Sequence, residues 1–129
     1  LGAKGVQLGT RFLVAKECTI HRNYKNKVLA AKDIDTIVSG RRLGHPVRSL
    51  KNSFSRQFLK NEYDNTMTLE EMEAFGAGAL RRAAVEGDEK NGCFMAGQIS
   101  GLIKKEQTCA EIIEEIFAEA EKLLGSRIQ

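Results

Sequence analysis

Tryptophan is absent from this sequence, proline occurs once, and aromatic residues make up only 6% of the chain. No apolar run approaches the roughly 20 residues a membrane-spanning helix needs, so no membrane partner is expected. Lys4 and Gly5 interrupt any early apolar segment of the signal-peptide kind. The three cysteines (Cys18, Cys93 and Cys109) are odd in number, widely spaced and without a C-x-x-C pair. That pattern excludes an exported disulfide framework and the usual structural zinc site, and it points to a reducing cytoplasm. An initiator methionine is also missing. Leu1-Gly2-Ala3-Lys4-Gly5-Val6-Gln7-Leu8 reads as the end of one element running directly into a strand, which predicts a chain that begins inside a larger polypeptide.

What is present fits one domain of 129 residues with a modest core. Charge is divided unevenly: residues 1–60 carry 13 Lys/Arg against 3 Asp/Glu, and residues 61–129 carry 7 against 14. The plainer explanation is that the basic half faces the acidic half, or that both are solvated. The functional alternative is a positive surface for an anionic partner. Nucleic acid is not expected as that partner. The sequence has no RNP, zinc-finger or helix-turn-helix signature, and no aromatics interleaved with its basic residues.

Local patterns predict a mostly helical chain with one or two strands. Val6-Gln7-Leu8 has a short β pattern, Gly9-Thr10 a tight turn, and Arg11 to Glu17 is helix-compatible. Asn23 is a candidate cap for a helix over 24–32. Asp35 to Ser39 is β-branched but short. Arg41 to Arg48 contains Pro46 and reads as an extended loop. A helix follows from Ser53 to Glu62, with Phe54, Phe58 and Leu59 on one face, and Asn65-Thr66-Met67 breaks it. Thr68 and Glu71 form a capping box opening a helix that reaches Val85 and stops at Gly87. Asp88 to Gly92 is a polar turn. Cys93 to Lys105, small and apolar, predicts a buried helix. A second capping box, Thr108 and Glu111, opens an amphipathic helix. It places Ile112, Ile113, Ile116, Phe117, Ala120, Leu123 and Leu124 on one face, and Gly125 closes it.

Few of these residues carry chemistry on their own. Gly9 lets backbone approach an anion and Thr10 adds a hydroxyl donor, as in phosphate-binding βα turns, although an ordinary turn has the same appearance. Gly76-Ala77-Gly78-Ala79 and Ala96 to Gly101 are small-residue runs that suit close helix packing or a ligand wall. Met95 suits a core or the wall of an acyl or flavin pocket. His21 and His45 lack triad-like neighbours, no carboxylate pair is spaced for acid–base work, and no metal set is present. No catalytic residue is assigned.

Several of these segments occur in an informative order: Gly5 to Phe12, His21-x-Asn23-Tyr24-Lys25, Asp33-x-Asp35-Thr36, Gly44-His45-Pro46-Val47-Arg48, Gly76 to Leu80 and Met95-Ala96-Gly97-Gln98. Together they resemble the C-terminal portion of the FMN-dependent enoyl-acyl-carrier-protein reductases II, flavoproteins related to nitronate monooxygenases (2-nitropropane dioxygenases). The resemblance implies an α/β fold, the last strand of a (β/α)8 barrel followed by a mainly helical C-terminal region. Residues 1–32 would be the last β/α unit, 33–67 an extended loop and short helix, and 68–129 the helical region. It implies that Gln7, Leu8, Gly9 and Thr10 hold the FMN phosphate and that Met95, Ala96, Gly97 and Gln98 lie beside the substrate pocket. NADH or NADPH would be the co-substrate, with hydride passing through the flavin to the double bond of an enoyl thioester in fatty-acid synthesis.

By the same resemblance the protein would be a homodimer, and its active-site histidine would lie upstream of this segment. The acidic acyl carrier protein gives the basic first half a purpose, with Arg41, Arg42 and Arg48 as its candidate steering charges. Two alternatives stand beside this reading: a nitronate monooxygenase on the same barrel, and a non-catalytic helical interaction module.

Overall fold

The computed structural model describes residues 2–64 and 66–125. Leu1 and Asn65, which belong to the expected opening segment and helix break, lie outside the described residues. In chain order the elements are α1 (Thr10–Leu13), α2 (Arg22–Ala30), β1 (Thr36–Ser39), β2 (Val47–Leu50), α3 (Ser53–Asp64), α4 (Leu69–Gly76) and α5 (Ala79–Arg81). A π turn (Arg82–Glu86), a 3-10 turn (Gln98–Leu102) and α6 (Cys109–Gly125) complete the order.

Val6 to Leu8 is not a strand. The segment is exposed, Val6 at 82%, and pairs with no other backbone among the described residues. A β pattern needs a neighbouring strand to satisfy its amides, and none is beside it. The β-branched Thr36–Ser39 does pair, antiparallel, with Val47–Leu50, in the register Thr36↔Leu50 and Val38↔Arg48. The second half of the expected loop is therefore a strand, and Pro46 sits just before it, where its missing N–H costs no ladder bond. A third extended segment lies along the other edge of β2: Ser49 bridges Met95, Leu50 N donates to Phe94 O at 2.8 Å, and Ala96 N donates to Arg48 O at 3.2 Å.

That third segment corrects another expectation, since Cys93 to Lys105 is not a helix. Phe94 to Ala96 belong to the sheet edge, while Cys93 N donates to Ala79 O. Gly97 is extended, and the 3-10 turn that follows is fastened by Ser100 Oγ donating to Gly97 O at 2.7 Å. The small residues serve close packing, as at Gly101, where a Cβ would lie 2.9 Å from the backbone nitrogen of Asp33. The expected helix from Leu69 to Val85 is likewise interrupted. Gly78 takes φ +71°, a left-handed conformation that glycine adopts without penalty, and the chain restarts as α5 and the π turn. Gly87 ends it as the sequence predicts.

Both capping boxes form. Thr68 and Glu71 exchange hydrogen bonds of 3.2 and 2.7 Å, and Thr108 and Glu111 bonds of 3.1 and 2.7 Å. The cap of α2 is His21 rather than Asn23: its Nδ1 accepts from Asn23 N at 3.1 Å, while the Asn23 side chain donates to Gly87 O. The histidine thus has a structural task and anchors α2 against the end of the π turn.

Two apolar clusters hold these pieces together. The first gathers Val14, Tyr24, Val28, Leu50, Phe94 and Ile103, with Tyr24 and Phe94 edge-to-face at 4.9 Å. Burying a side chain like Phe94 contributes about 1.5–3 kcal/mol, and the aromatic pair about 1 kcal/mol more. The second contains Phe54, Phe58, Met72, Ala79 and Cys93, joined by Phe75, which stacks on Phe54 at 5.4 Å. Ion pairs link the two halves of the sequence. Glu106 receives Arg22 at 2.5 Å and the buried Lys25 at 3.1 Å, and Glu89 receives Lys27 at 3.2 Å. The basic half does face the acidic half. On α6, by contrast, only Ile112 is buried, and Ile113, Phe117, Leu123 and Leu124 are exposed.

Candidate functional site

The turn at Gly9-Thr10 and the segment Met95-Ala96-Gly97, far apart in sequence, meet in one pocket. Its volume is roughly 340 Å³ and it is lined by Gly9, Thr10, Leu13, Arg48, Met95, Ala96 and Gly97. The contact is direct: Gly97 N donates to Thr10 Oγ1 at 2.9 Å. That bond uses a lone pair of the hydroxyl and leaves its proton free to donate. Gly9 faces open space, with no atom within 4 Å of where a Cβ would stand.

The far wall is set by Tyr24. Its hydroxyl donates to Met95 O at 2.6 Å from within the first apolar cluster. Burial pushes the Tyr24 hydroxyl well above the ordinary phenol range, so it stays protonated and keeps donating. Met95 leans outward, 36% exposed, while Ala96 is buried. Arg48 comes from β2, half-buried, and its Nη1 donates to Thr36 Oγ1 at 3.0 Å.

Not every expected site residue is present. Gln7, Leu8 and Gln98 are exposed and flank the pocket without lining it. Leu13 and Arg48 line it and were not assigned to it from sequence. The alternation of Val47-Arg48-Ser49-Leu50 was the signal available for Arg48, because it places every second residue on one face. Arg41 and Arg42, grouped with Arg48 as steering charges, line a different hollow of roughly 370 Å³ with Leu59, Glu62 and Tyr63. There the buried Glu62 carboxylate accepts from Gly40 N and Arg42 N at 2.9 and 2.7 Å and fixes the turn that carries both arginines. A third hollow, of roughly 290 Å³, is lined by Lys27, Asp35, Lys51, Arg56 and apolar residues.

Neither histidine lies in the pocket. Burial raises the thiols of Cys93 and Cys109 above their ordinary value, which leaves both poor nucleophiles. No cluster of metal-ligating side chains occurs among the described residues. Among the same residues, no helix is long and apolar enough to cross a membrane.

With this geometry in view, comparison with known proteins is decisive. The model of the nitronate monooxygenase family matches residues 1–119. The chain belongs to that family. It is 31% identical over 126 residues to a probable nitronate monooxygenase of Staphylococcus saprophyticus, covering 97% of this chain and 35% of that protein. It is 29% identical to a hydroxy-methyl-oxo-octahydroindene-carboxyl-CoA dehydrogenase of Rhodococcus jostii, covering 97% of this chain and 46% of that protein. Among solved structures, FabK from Thermotoga maritima superposes with a TM-score of 0.86 at 43% identity, over 97% of this chain and 40% of that one. Its M276A mutant superposes at 0.77. The chain thus spans 35–46% of the length of these relatives.

Members of the family are flavin-dependent oxidoreductases built on a (β/α)8 barrel. Within this chain the matched portion is mostly helical, with a small antiparallel sheet.

Proposed function

We propose that this chain is the C-terminal portion of an FMN-dependent enoyl-thioester reductase and contributes one wall of its cofactor and substrate site. The observation that carries the reading is the pocket itself. The Gly9-Thr10 turn and the Met95–Gly97 wall, singled out separately in the sequence, share it and are clasped by a hydrogen bond. The 43% identity to FabK favours a reductase over the other chemistries of the family.

The residues present fit one end of a flavin mononucleotide. Gly9 leaves room for a close approach, the Thr10 hydroxyl can donate to a phosphate oxygen, and Leu13 and Met95 offer an apolar flank. FMN, when bound, supplies the ring that relays a hydride from NADH or NADPH to the enoyl double bond. This chain's part is to hold and to exclude. Thr10 fixes the Gly97 amide, Tyr24 fixes the Met95 carbonyl, and Leu13 and Met95 keep water from one side. Catalytic proton transfer is assigned to no residue here.

The Arg41-Arg42 turn, held rigid by Glu62, forms a positive edge suited to an acidic acyl carrier protein, and the complete enzyme is read as a homodimer. A nitronate monooxygenase is the second reading, favoured by the relative from Staphylococcus saprophyticus.

The deciding assay uses the complete enzyme. An enoyl thioester should accelerate NADH oxidation at least tenfold over the rate with oxygen alone. The double variant Arg41→Glu, Arg42→Glu should raise KM for the carrier-bound substrate several-fold more than for the coenzyme A thioester. Oxygen uptake that depends on a nitronate and ignores NADH would replace the first reading with the second.

A further inference from the structure

Arg48 has charge and hydrogen-bonding capacity that no other described residue uses beyond a single bond. It stands across from Val38 in the β1–β2 register, with its guanidinium against Thr36 on the neighbouring strand. That single bond, to a neutral hydroxyl at 3.0 Å, occupies one of five N–H groups. The ion pairs of the described residues involve Arg22, Lys25, Lys27, Arg81 and Lys105, never Arg48. A half-buried guanidinium with no counter-charge among the described residues keeps N–H groups available to an anionic ligand.

The pocket that Arg48 lines is built to receive such a group. Of its seven lining residues only Arg48 is charged, and no carboxylate is among them. Thr10 adds a hydroxyl that accepts from Gly97 N through one lone pair and keeps its proton available to donate. Guanidinium and hydroxyl therefore offer donors to an acceptor-only ligand, beside the apolar surfaces of Leu13 and Met95. A phosphate ester matches this combination. Its terminal oxygens can engage a guanidinium in a two-pronged bond and still accept from a second donor.

We propose that Arg48 is a phosphate ligand, and that the Thr36 hydroxyl positions its guanidinium for that role. The proposal rests on the reading of this pocket as a cofactor site, and it names the charge that the Gly9-Thr10 turn lacks. Within that reading the phosphate is the one carried by FMN, with the diphosphate of a nicotinamide dinucleotide as the other source of the same chemistry.

The test titrates the complete enzyme, freed of its flavin, at constant ionic strength with inorganic phosphate, acetate, FMN, riboflavin and NADH, following binding by calorimetry and flavin fluorescence. Wild type should bind phosphate in preference to acetate. Arg48→Gln should weaken phosphate about tenfold, as expected for loss of a charge-assisted pair. Arg48→Lys, which keeps the charge and most of the stem but loses the fork, should weaken it about threefold. Thr36→Val, distant from the ligand, should weaken it less than Arg48→Gln. FMN should bind more tightly than riboflavin, and the advantage should shrink in Arg48→Gln by the same factor as phosphate binding.

Phosphate and FMN affinities unchanged in Arg48→Gln and Arg48→Lys, or acetate binding as well as phosphate, would overturn the proposal and leave the flavin reading standing. Phosphate binding that depends on Arg48, with FMN no better than riboflavin, would keep the proposal and remove the flavin reading. NADH affinity that falls with Arg48 while FMN affinity does not would assign the phosphate to the nicotinamide dinucleotide.

Discussion

Helices α3 and α6 are alike in sequence and opposite in structure. Each has a clear apolar face at helical spacing, and the stripe on α6 is the longer. Yet α3 buries Phe54 and Phe58 beneath Phe75 and Met72, while α6 buries Ile112 alone and leaves Phe117 64% exposed. Periodicity decides which side of a helix is apolar. Whether that side is covered depends on what the chain places next to it, and of these two helices only α3 has such a neighbour among the described residues.

The sharpest way to test that contrast is to truncate one phenylalanine on each helix. Phe58→Ala should destabilise the chain by about 3 kcal/mol, within the range for core aromatics, and visibly lower its thermal midpoint. Phe117→Ser should change stability by less than about 0.5 kcal/mol, as for other exposed positions. Equal losses at the two positions would mean that α6 is packed in solution and would erase the contrast.

A smaller effect separates the interior of the first cluster from its hydrogen bonding. Tyr24→Phe keeps the ring against Phe94 but leaves Met95 O without its donor. The expected cost is about 1–2 kcal/mol in urea unfolding. A neutral result would show that the Met95 carbonyl finds another donor and that Tyr24 does not set the pocket wall.

The smallest and most conditional effect concerns Glu106, which fastens α2 to the segment entering α6. Hydrogen bonds from Arg22 and then Lys25 hold its carboxyl below the ordinary 4.5. The folded state therefore takes up this proton less readily than the unfolded chain. The resulting stabilisation is complete above the ordinary value and fades as pH falls through the depressed one. Glu106→Gln should lower stability near neutral pH and flatten the acid limb of the pH–stability curve. An unchanged acid limb would assign the acid sensitivity to other carboxylates, with Asp88 and Glu111 also held low by backbone donors.

The parts of this fold that the sequence made legible are those governed by neighbours in the chain. Thr68 with Glu71 and Thr108 with Glu111 announce helix starts because the capping partners are three residues apart. Gly87 announces a stop for an equally local reason. The misread segment, Cys93 to Lys105, has no local signature at all. Its small residues tolerate helix and strand alike, and the edge of β2 decides between them through Leu50 and Arg48. The same holds for β2, whose partner strand precedes it across a turn containing Gly40, Gly44 and Pro46.

The candidate site was legible in halves. Thr10 and Met95 to Gly97 stood out as motifs, but nothing in the sequence says that they touch. Arg48 falls in a segment that reads as a loop, where an arginine suggests a surface charge, and only its pairing with β1 shows that it belongs to a strand beside the pocket. Resemblance to a family supplied the order of the motifs. The geometry supplied the clasp.

That clasp has a consequence for how the chain is made. The bond between Thr10 and Gly97 closes 87 positions of sequence, and Glu106 reaches back 81 positions to Lys25. At ribosomal rates of about 5–20 residues per second, roughly 4 to 17 s separate the synthesis of Thr10 from that of Gly97. During that interval the β1–β2 hairpin can already pair, since its strands are neighbours, but the pocket has only one side and α2 lacks its carboxylate anchor. Closing so long a loop adds an entropic toll that short-range helices do not face. Until Phe94 and Ile103 emerge, Tyr24 and Val28 lack the side chains that cover them in the folded chain.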